Sequence, residues 1–292
     1  MSRKKVTILT LKEKREKGEP ITMLTAYDYP TGLLVDQAGI DILLVGDSLA
    51  MVVLGHENTV SVTMDEMLHH CKAVARGAKT PLLVGDMPFM SYQVDVKEAI
   101  HNAGRFLKEG GMDVVKLEGG VEVAPTVKAI VDAGIPVMGH IGLTPQTISK
   151  LGGFRVQGKD VAAARALIES AQALEQAGAF ALILEAIPSP VAQLITRRVS
   201  IPTIGIGAGP HCNGQVLVMH DMIGLFDRFV PKFVKQYTNI FPLVLQALTA
   251  YRDEVITGSF PGPEHGYPLS DEAVEALLKE LGQDVSGEDA GG

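Results

Sequence analysis

Side chains able to bind cations, move protons or hold anions stand where short apolar runs end. Asp47 and Ser48 follow the run 41–46, and Asp86 follows 81–85. Lys116 and Glu118 close the run 113–118, His140 closes 135–140, and Glu185 closes 180–185. Carboxylates brought together on three consecutive runs, Asp47, Asp86 and Glu118, repel one another unless a cation neutralises them. The chain has two cysteines, Cys71 and Cys212, and no histidine cluster beside these acids, so the donors are oxygens and select a hard ion. A few carboxylates with room left for water and substrate oxygens is the usual magnesium arrangement. The alternative is that each acid caps the helix after its strand.

Lys116 lies two residues before Glu118, so both point to one face of a strand. It either holds a substrate carboxylate or pairs with a neighbouring acid. Glu185 sits between Phe-Ala-Leu-Ile-Leu and Ala-Ile-Pro. That setting is apolar enough to raise a carboxylate toward the operating pH, as a general base requires, unless Glu185 is a structural hydrogen-bonding residue. His140, in Gly-His-Ile-Gly, either orients a substrate or is a satisfied structural histidine. The glycines of 205–209 bind phosphate through backbone N–H groups or permit close packing. Met51 to Leu54 and Met87 to Met90, beside the acids, suit a branched aliphatic substrate or pack against loops. Asp28, His211 and His220 also lie near run ends, and none carries a role by itself.

The elements that must position these groups read as eight apolar, β-branched-rich runs: 21–26, 41–46, 81–85, 113–118, 135–140, 180–185, 201–206 and 215–220. Such runs suit strands buried on both faces of a parallel sheet. Helical patterns separate most of them, as at 64–76 and 160–177, and glycines 39, 77, 110, 134 and 178 are placed to end helices. Eight strand-helix units predict a (β/α)8 TIM barrel. The first strand-helix turn, Ala26-Tyr-Asp-Tyr-Pro30, lacks the G-x-G-x-x-G of a dinucleotide fold. The domain reading is one barrel over 1–292. Residues 1–20 carry an N-terminal helix (7–17) that lids the barrel or contacts another subunit. Residues 240–256 supply the eighth helix. A C-terminal helical extension covers 258–292, with a helix at 269–281 and an acidic, frayed tail at 283–292.

Composition narrows the classes. With 292 residues and 46% hydrophobic content, global disorder is excluded. No apolar run is long enough to span a membrane, and the start of the chain lacks a secretory h-region, so a cytoplasmic address is expected. Two cysteines make no disulfide framework. The net charge of -8 is concentrated in the C-terminal 34 residues, while the basic first 20 are interrupted by Glu, so no nucleic-acid footprint is present.

Several strings in this order closely resemble ketopantoate hydroxymethyltransferase, the 3-methyl-2-oxobutanoate hydroxymethyltransferase family of pantothenate biosynthesis. They are Val45-Gly-Asp-Ser-Leu-Ala-Met-Val-Val-Leu-Gly55, Asp86-Met-Pro-Phe-Met-Ser91, Val115-Lys-Leu-Glu-Gly-Gly120, Gly139-His-Ile-Gly-Leu-Thr-Pro-Gln146, Leu151-Gly-Gly-Phe-Arg-Val-Gln-Gly158 and Ile204-Gly-Ile-Gly-Ala-Gly-Pro-His211. The likeness spans about residues 5 to 267. Departures fall at Ala50, Val60-Ser61 and Ala186-Ile187, and none touches a candidate site residue.

The resemblance implies transfer of a hydroxymethyl group from 5,10-methylenetetrahydrofolate to 3-methyl-2-oxobutanoate, giving ketopantoate for pantothenate and coenzyme A, through a magnesium-stabilised enolate. It implies that Asp47, Asp86 and Glu118 serve one Mg2+ per subunit, Glu118 through water. Asp47, Ser48, Asp86 and Lys116 would line the 2-oxo acid site, with Glu185 as the base. It further implies a homodecamer, a pentamer of dimers. Two competitors remain: a phosphoenolpyruvate mutase or isocitrate-lyase-like enzyme, disfavoured by the absence of a Lys-Lys-Cys-Gly-His string, and a non-catalytic barrel, which would need a disabled site.

Overall fold

The computed structural model describes residues 3–147, 153, 155–226 and 228–282. The predicted tail at 283–292, and residues 151, 152 and 154 of the string Leu151 to Gly158, lie outside the described residues. The chain forms two compact units, 1–239 and 240–292.

In the first unit eight parallel strands close into a barrel in sequence order: β1 (Ile21–Thr25), β2 (Ile42–Val45), β3 (Leu82–Asp86), β4 (Val114–Glu118), β5 (Val137–Gly142), β6 (Ala181–Glu185), β7 (Thr203–Ile206) and β8 (Gly214–Leu217). All eight predicted runs contain a strand. The last prediction overshoots: β8 stops at Leu217, and His220 lies on the short helix Met219–Met222 rather than at a strand end. Among the described residues no helix is long and apolar enough to cross a membrane.

Alternation along each strand builds two cores. Ile21, Met23, Ile42, Leu44, Val84, Val114, Met138, Ile183 and Val216 pack together inside the barrel. Leu43, Val45, Leu83, Val115, Leu117, Leu182 and Leu184 belong to the separate layer beneath the helices. A strand buried on both faces must be apolar at nearly every position, which is why the runs are continuous rather than alternating.

Helix ends follow ordinary capping chemistry. Asp28, Thr63, Asp95 and Asp160 each accept a backbone N–H of the first turn they precede. Gly39, Gly134 and Gly178 adopt the expected left-handed conformation. Gly77 and Gly110 do not: after helix Val96–Lys108 the left-handed residue is Gly111, and Gly77 is the last helical residue of Met64–Gly77. A Cβ on Gly77 would collide with the carbonyl oxygen of Tyr29, so close helix approach, not a turn, requires glycine there.

The N-terminal helix Ile8–Lys17 covers the barrel floor, with Leu11 fully buried among the interior residues. Around it basic side chains tie down the strand starts. Asp41 accepts from Arg3 Nη2 (3.0 Å), Lys14 Nζ (2.6 Å) and the Thr22 backbone N–H (2.9 Å). Lys5 reaches Asp113 (2.6 Å), and Arg15 donates to the carbonyl of Val199 (2.5 Å). These contacts favour the lid reading of this helix over subunit contact. The second unit holds helices Phe241–Thr257 and Asp271–Glu280, close to the predicted 240–256 and 269–281.

Burial works to raise the Asp41 carboxyl, but its bonds from Lys14 and Thr22 outweigh this and hold it below the usual value. A depressed carboxyl stabilises the fold fully at neutral pH and progressively less as acid protonates it. Asp41→Ala should therefore lower unfolding free energy by roughly 2–4 kcal/mol at pH 7, because it strands two cations. In urea titrations the gap between variant and parent should narrow below about pH 4.

Candidate active site

Parallel register sets the floor of the barrel mouth. Asp86 of β3 is paired with Lys116 of β4, Glu118 of β4 with His140 of β5, and Gly142 of β5 with Glu185 of β6. The side chains follow. Lys116 Nζ donates to both oxygens of Asp86 at 2.8 Å and lies 3.5 Å from Glu118 Oε1. His140 sits 3.3 Å from Glu118 Oε1 through Nδ1 and 3.3 Å from Glu185 Oε2 through Nε2. Asp47, just past β2, donates its backbone N–H to Asp86 Oδ2 (3.0 Å). Acidic and basic groups thus alternate from Asp86 of β3 to Glu185 of β6, with Asp47 a second acid at the β2 end.

None of Asp47, Asp86 and Glu118 caps a helix; caps come from other residues. Ser48 precedes the short helix Leu49–Val52, makes no capping bond, and pairs its hydroxyl with Tyr27 OH at 2.8 Å. Asp47, Ser48, Asp86, Lys116, Glu118, His140 and Glu185 all line one cavity of about 550 Å³. The structure therefore brings every sequence-selected site residue together.

Burial, then the charges of Asp86 and Glu118, push the Asp47 carboxyl well above its usual range. Asp86 is raised by burial despite Lys116. Burial works against the Glu118 charge too, yet Lys116 and His140 outweigh it and hold that carboxyl low. Burial opposes the Lys116 charge, but Asp86, Glu118 and Asp47 overcome it and keep the ammonium protonated. Burial and Lys116 both push His140 down, but Glu118 and Glu185 on either side raise it to about 9. Its two acidic neighbours thus favour the protonated ring. The surroundings of Glu185 are accordingly more polar than its flanking sequence suggests.

Two residues missed by the sequence reading hold the acids in place. Gln146 donates Nε2 to Asp47 Oδ2 (3.0 Å) and to the carbonyl of Met87 (2.9 Å), and its backbone N–H to Glu118 Oε2 (3.1 Å). Tyr92 bridges Gln146 Oε1 (2.9 Å) and the Glu118 backbone carbonyl (3.0 Å). Neither is ionised chemistry at a strand end, which was the signal sought, though Gln146 closes the string that begins at Gly139. After Glu185 the chain turns through Ala186 in the left-handed region (φ 47°), its N–H bonded to the Ile206 carbonyl. A non-glycine residue in that region persists only where the surrounding structure holds it.

Other candidates separate. Met51 and Val52 line the cavity, whereas Met87 is fully buried in the outer core and Met90 is exposed. Gly207 and Gly209 are left-handed, and a Cβ would meet Phe233 at the first and Ser189 at the second, so the glycine run serves packing. Asp28 caps its helix, His211 is exposed, and His220 is buried against the Tyr27 ring.

The donor set fits a hard divalent ion. Three buried carboxyls crowd around the Lys116 ammonium, burial pushes Asp47 and Asp86 up, and Glu118 Oε1 is buried without a hydrogen bond. Among the described residues no three acidic, histidine or cysteine side chains already converge as a complete cage. Lys116 stands between Asp86 and Glu118. Asp47, Asp86 and Glu118 are the oxygens that would face such an ion, which would keep several waters and substrate oxygens.

Comparison with known proteins places this geometry. A family profile described as ketopantoate hydroxymethyltransferase matches residues 5–263. A 3-methyl-2-oxobutanoate hydroxymethyltransferase of Heliobacterium modesticaldum is 60% identical over 269 residues, covering 92% of this chain and 98% of the relative. One from Syntrophobacter fumaroxidans is 62% identical over 270 residues, covering 92% and 94%. Among solved structures, phosphonopyruvate hydrolase aligns with a TM-score of 0.59 at 13% identity, covering 94% of this chain and 96% of that one, which shows a shared fold. With its closed barrel, its row of charged side chains and these relatives along nearly its whole length, the chain belongs to the ketopantoate hydroxymethyltransferase family, enzymes that transfer a one-carbon unit to a 2-oxo acid.

Proposed function

We propose that this enzyme takes the hydroxymethyl unit from 5,10-methylenetetrahydrofolate and adds it to C3 of 3-methyl-2-oxobutanoate, with one Mg2+ held by Asp47 and Asp86 and steadied through water by Glu118. The observation that carries the reading is the asymmetry of the charged row. Its β2–β4 end is a knot of buried acids around Lys116. Its β6 end is Glu185, whose carboxylate is contacted only by the His140 ring at 3.3 Å among the described residues.

A divalent ion bound at the acidic end supplies a Lewis acid for the keto oxygen and the acid's carboxylate. The protein's own groups do the rest. Lys116, with Ser48 at the cavity wall, adds positive charge and a hydroxyl for the oxo acid. Glu185 takes the C3 proton, and the His140 ring, 3.3 Å away, aims its carboxylate. The C3–H bonding pair is left delocalised toward the keto oxygen as an enolate. C3 then forms its bond to the one-carbon unit as the two C–N bonds of the donor break; water supplies the hydroxyl, and a proton from water together with the C3 proton taken by Glu185 go to N5 and N10 of the departing tetrahydrofolate. Met51 and Val52 give the isopropyl group apolar contact.

The same reading includes self-association into a homodecamer, a pentamer of dimers, in the cytoplasm. Helix Phe241–Thr257 has no buried residue and exposes Leu243, Val244, Leu248, Tyr251 and Ile256. Apolar surface of this kind supports a subunit contact.

Three experiments test these roles. Chelator should abolish ketopantoate formation and magnesium restore it, with Asp47→Asn and Asp86→Asn severely impaired. Gln146→Leu, which frees Asp47, should cost about 10–100-fold in metal affinity; full activity in metal-free enzyme overturns the metal role. In deuterated water the wild type should exchange the C3 hydrogen of 3-methyl-2-oxobutanoate without folate, seen as collapse of the methyl doublet in proton NMR. Glu185→Gln should lose exchange and transfer together by about 10²–10⁴-fold, and retained exchange would move the base elsewhere. Light scattering should give ten times the 31.1 kDa chain mass, and a monomer alone refutes the assembly.

A further inference from the structure

One acid in the cavity takes no part in that chemistry. Asp221 follows β8, the strand that pairs with β1 and β7. It is only 8% exposed and lines the cavity, yet no hydrogen-bond donor reaches its carboxylate among the described residues. Burial alone raises it to about 6. Its backbone is fixed: the neighbouring Met219 N–H donates to Thr25 Oγ1 (3.0 Å), and Gln236 Nε2 donates to the Asp221 carbonyl (3.3 Å). The other buried acids of the cavity all have partners. A carboxylate held this way, without a donor, is completed by a ligand that brings donors.

The wall beside it specifies more. Phe226, Phe229 and Phe233 line the same cavity, and Phe229 is 72% exposed, a poor position for an aromatic ring unless something lies against it. Gly207, where a Cβ would press on the Phe233 ring, lets that ring approach the β7 end. Arg155 and Lys232 also line the cavity, and both are exposed. An occupant matching all three features brings paired N–H donors, flat rings and negative charge. A 2-oxo acid fails, since its carboxylate would face Asp221 charge to charge.

We propose that Asp221 and this aromatic wall are the subsite for the folate co-substrate, with the carboxylate accepting the ring N–H and exocyclic amino hydrogens of the aminopyrimidinone edge. The phenylalanines pack against the rings, and Arg155 and Lys232 meet the glutamyl carboxylates. The assignment rests on the reading that the one-carbon donor is a folate.

The magnesium-loaded full-length enzyme is the material for the test. Asp221→Asn keeps the shape but turns an N–H donor toward donors. It should raise KM for 5,10-methylenetetrahydrofolate, and the Kd of tetrahydrofolate by calorimetry, about tenfold or more. KM for the oxo acid and folate-free C3 exchange are measured in parallel. Lys232→Glu should weaken tetrahydrofolate but not tetrahydropteroate, which lacks the glutamyl end. An unchanged folate KM in Asp221→Asn overturns the subsite, as does equal loss of exchange and transfer, which would place Asp221 in the oxo acid chemistry. Loss of a manganese equivalent from Asp221→Asn would make it a cation ligand and overturn it as well. Wild-type enzyme that exchanges C3 hydrogen but never transfers from methylenetetrahydrofolate would refute the folate reading itself.

Discussion

Everything at the barrel mouth hangs on the ammonium of Lys116. Three carboxylates withdrawn from water within one sector would be driven neutral by their own repulsion and by the cost of desolvation. Lys116 bonds both oxygens of Asp86 and lies within 3.5 Å of Glu118, which offsets part of that cost without discharging it. The residual negative charge is the useful part. A fully compensated network would be inert toward a divalent ion, and an uncompensated one would protonate instead of binding it.

That balance is a property of strand register. Because Asp86 pairs with Lys116 and Glu118 with His140, neighbouring strands deliver opposite charges side by side. A slip of one residue would turn Lys116 into the outer layer occupied by Val115 and Leu117. The apolar interior beneath, from Ile21 to Val216, keeps the register rigid, and Gln146 and Tyr92 span the loops above it. Catalytic placement is thus inherited from sheet geometry, with loops supplying orientation more than position.

Much of this is legible in the sequence because a barrel strand announces itself by continuous apolar character, and the residue that interrupts the run is forced to the mouth. Asp86, Glu118 and Glu185 are found that way, and the family resemblance adds the chemistry. The rule fails where a side chain acts through hydrogen bonds from a loop. Gln146 and Tyr92 have no periodicity to mark them. It also fails at β8, where apolar character continues from Leu217 into helix Met219–Met222 and hides the strand end and the acid at 221. Gly77 shows a further limit: a glycine at the end of a helical pattern reads as a cap, but only the packed partner, here Tyr29, reveals a steric requirement.

The basic clasp on the barrel floor has a temporal consequence during synthesis. Lys5 and Arg15 emerge among the first residues, but their partners Asp113 and Val199 lie 108 and 184 positions later. The earliest segment of the chain is therefore the one that must wait longest to dock. Until Val199 has been made, the charged arm stays undocked together with Val6, Ile8 and Leu11, which reach the barrel interior only later. Closure comes later still, when β8 pairs with β1.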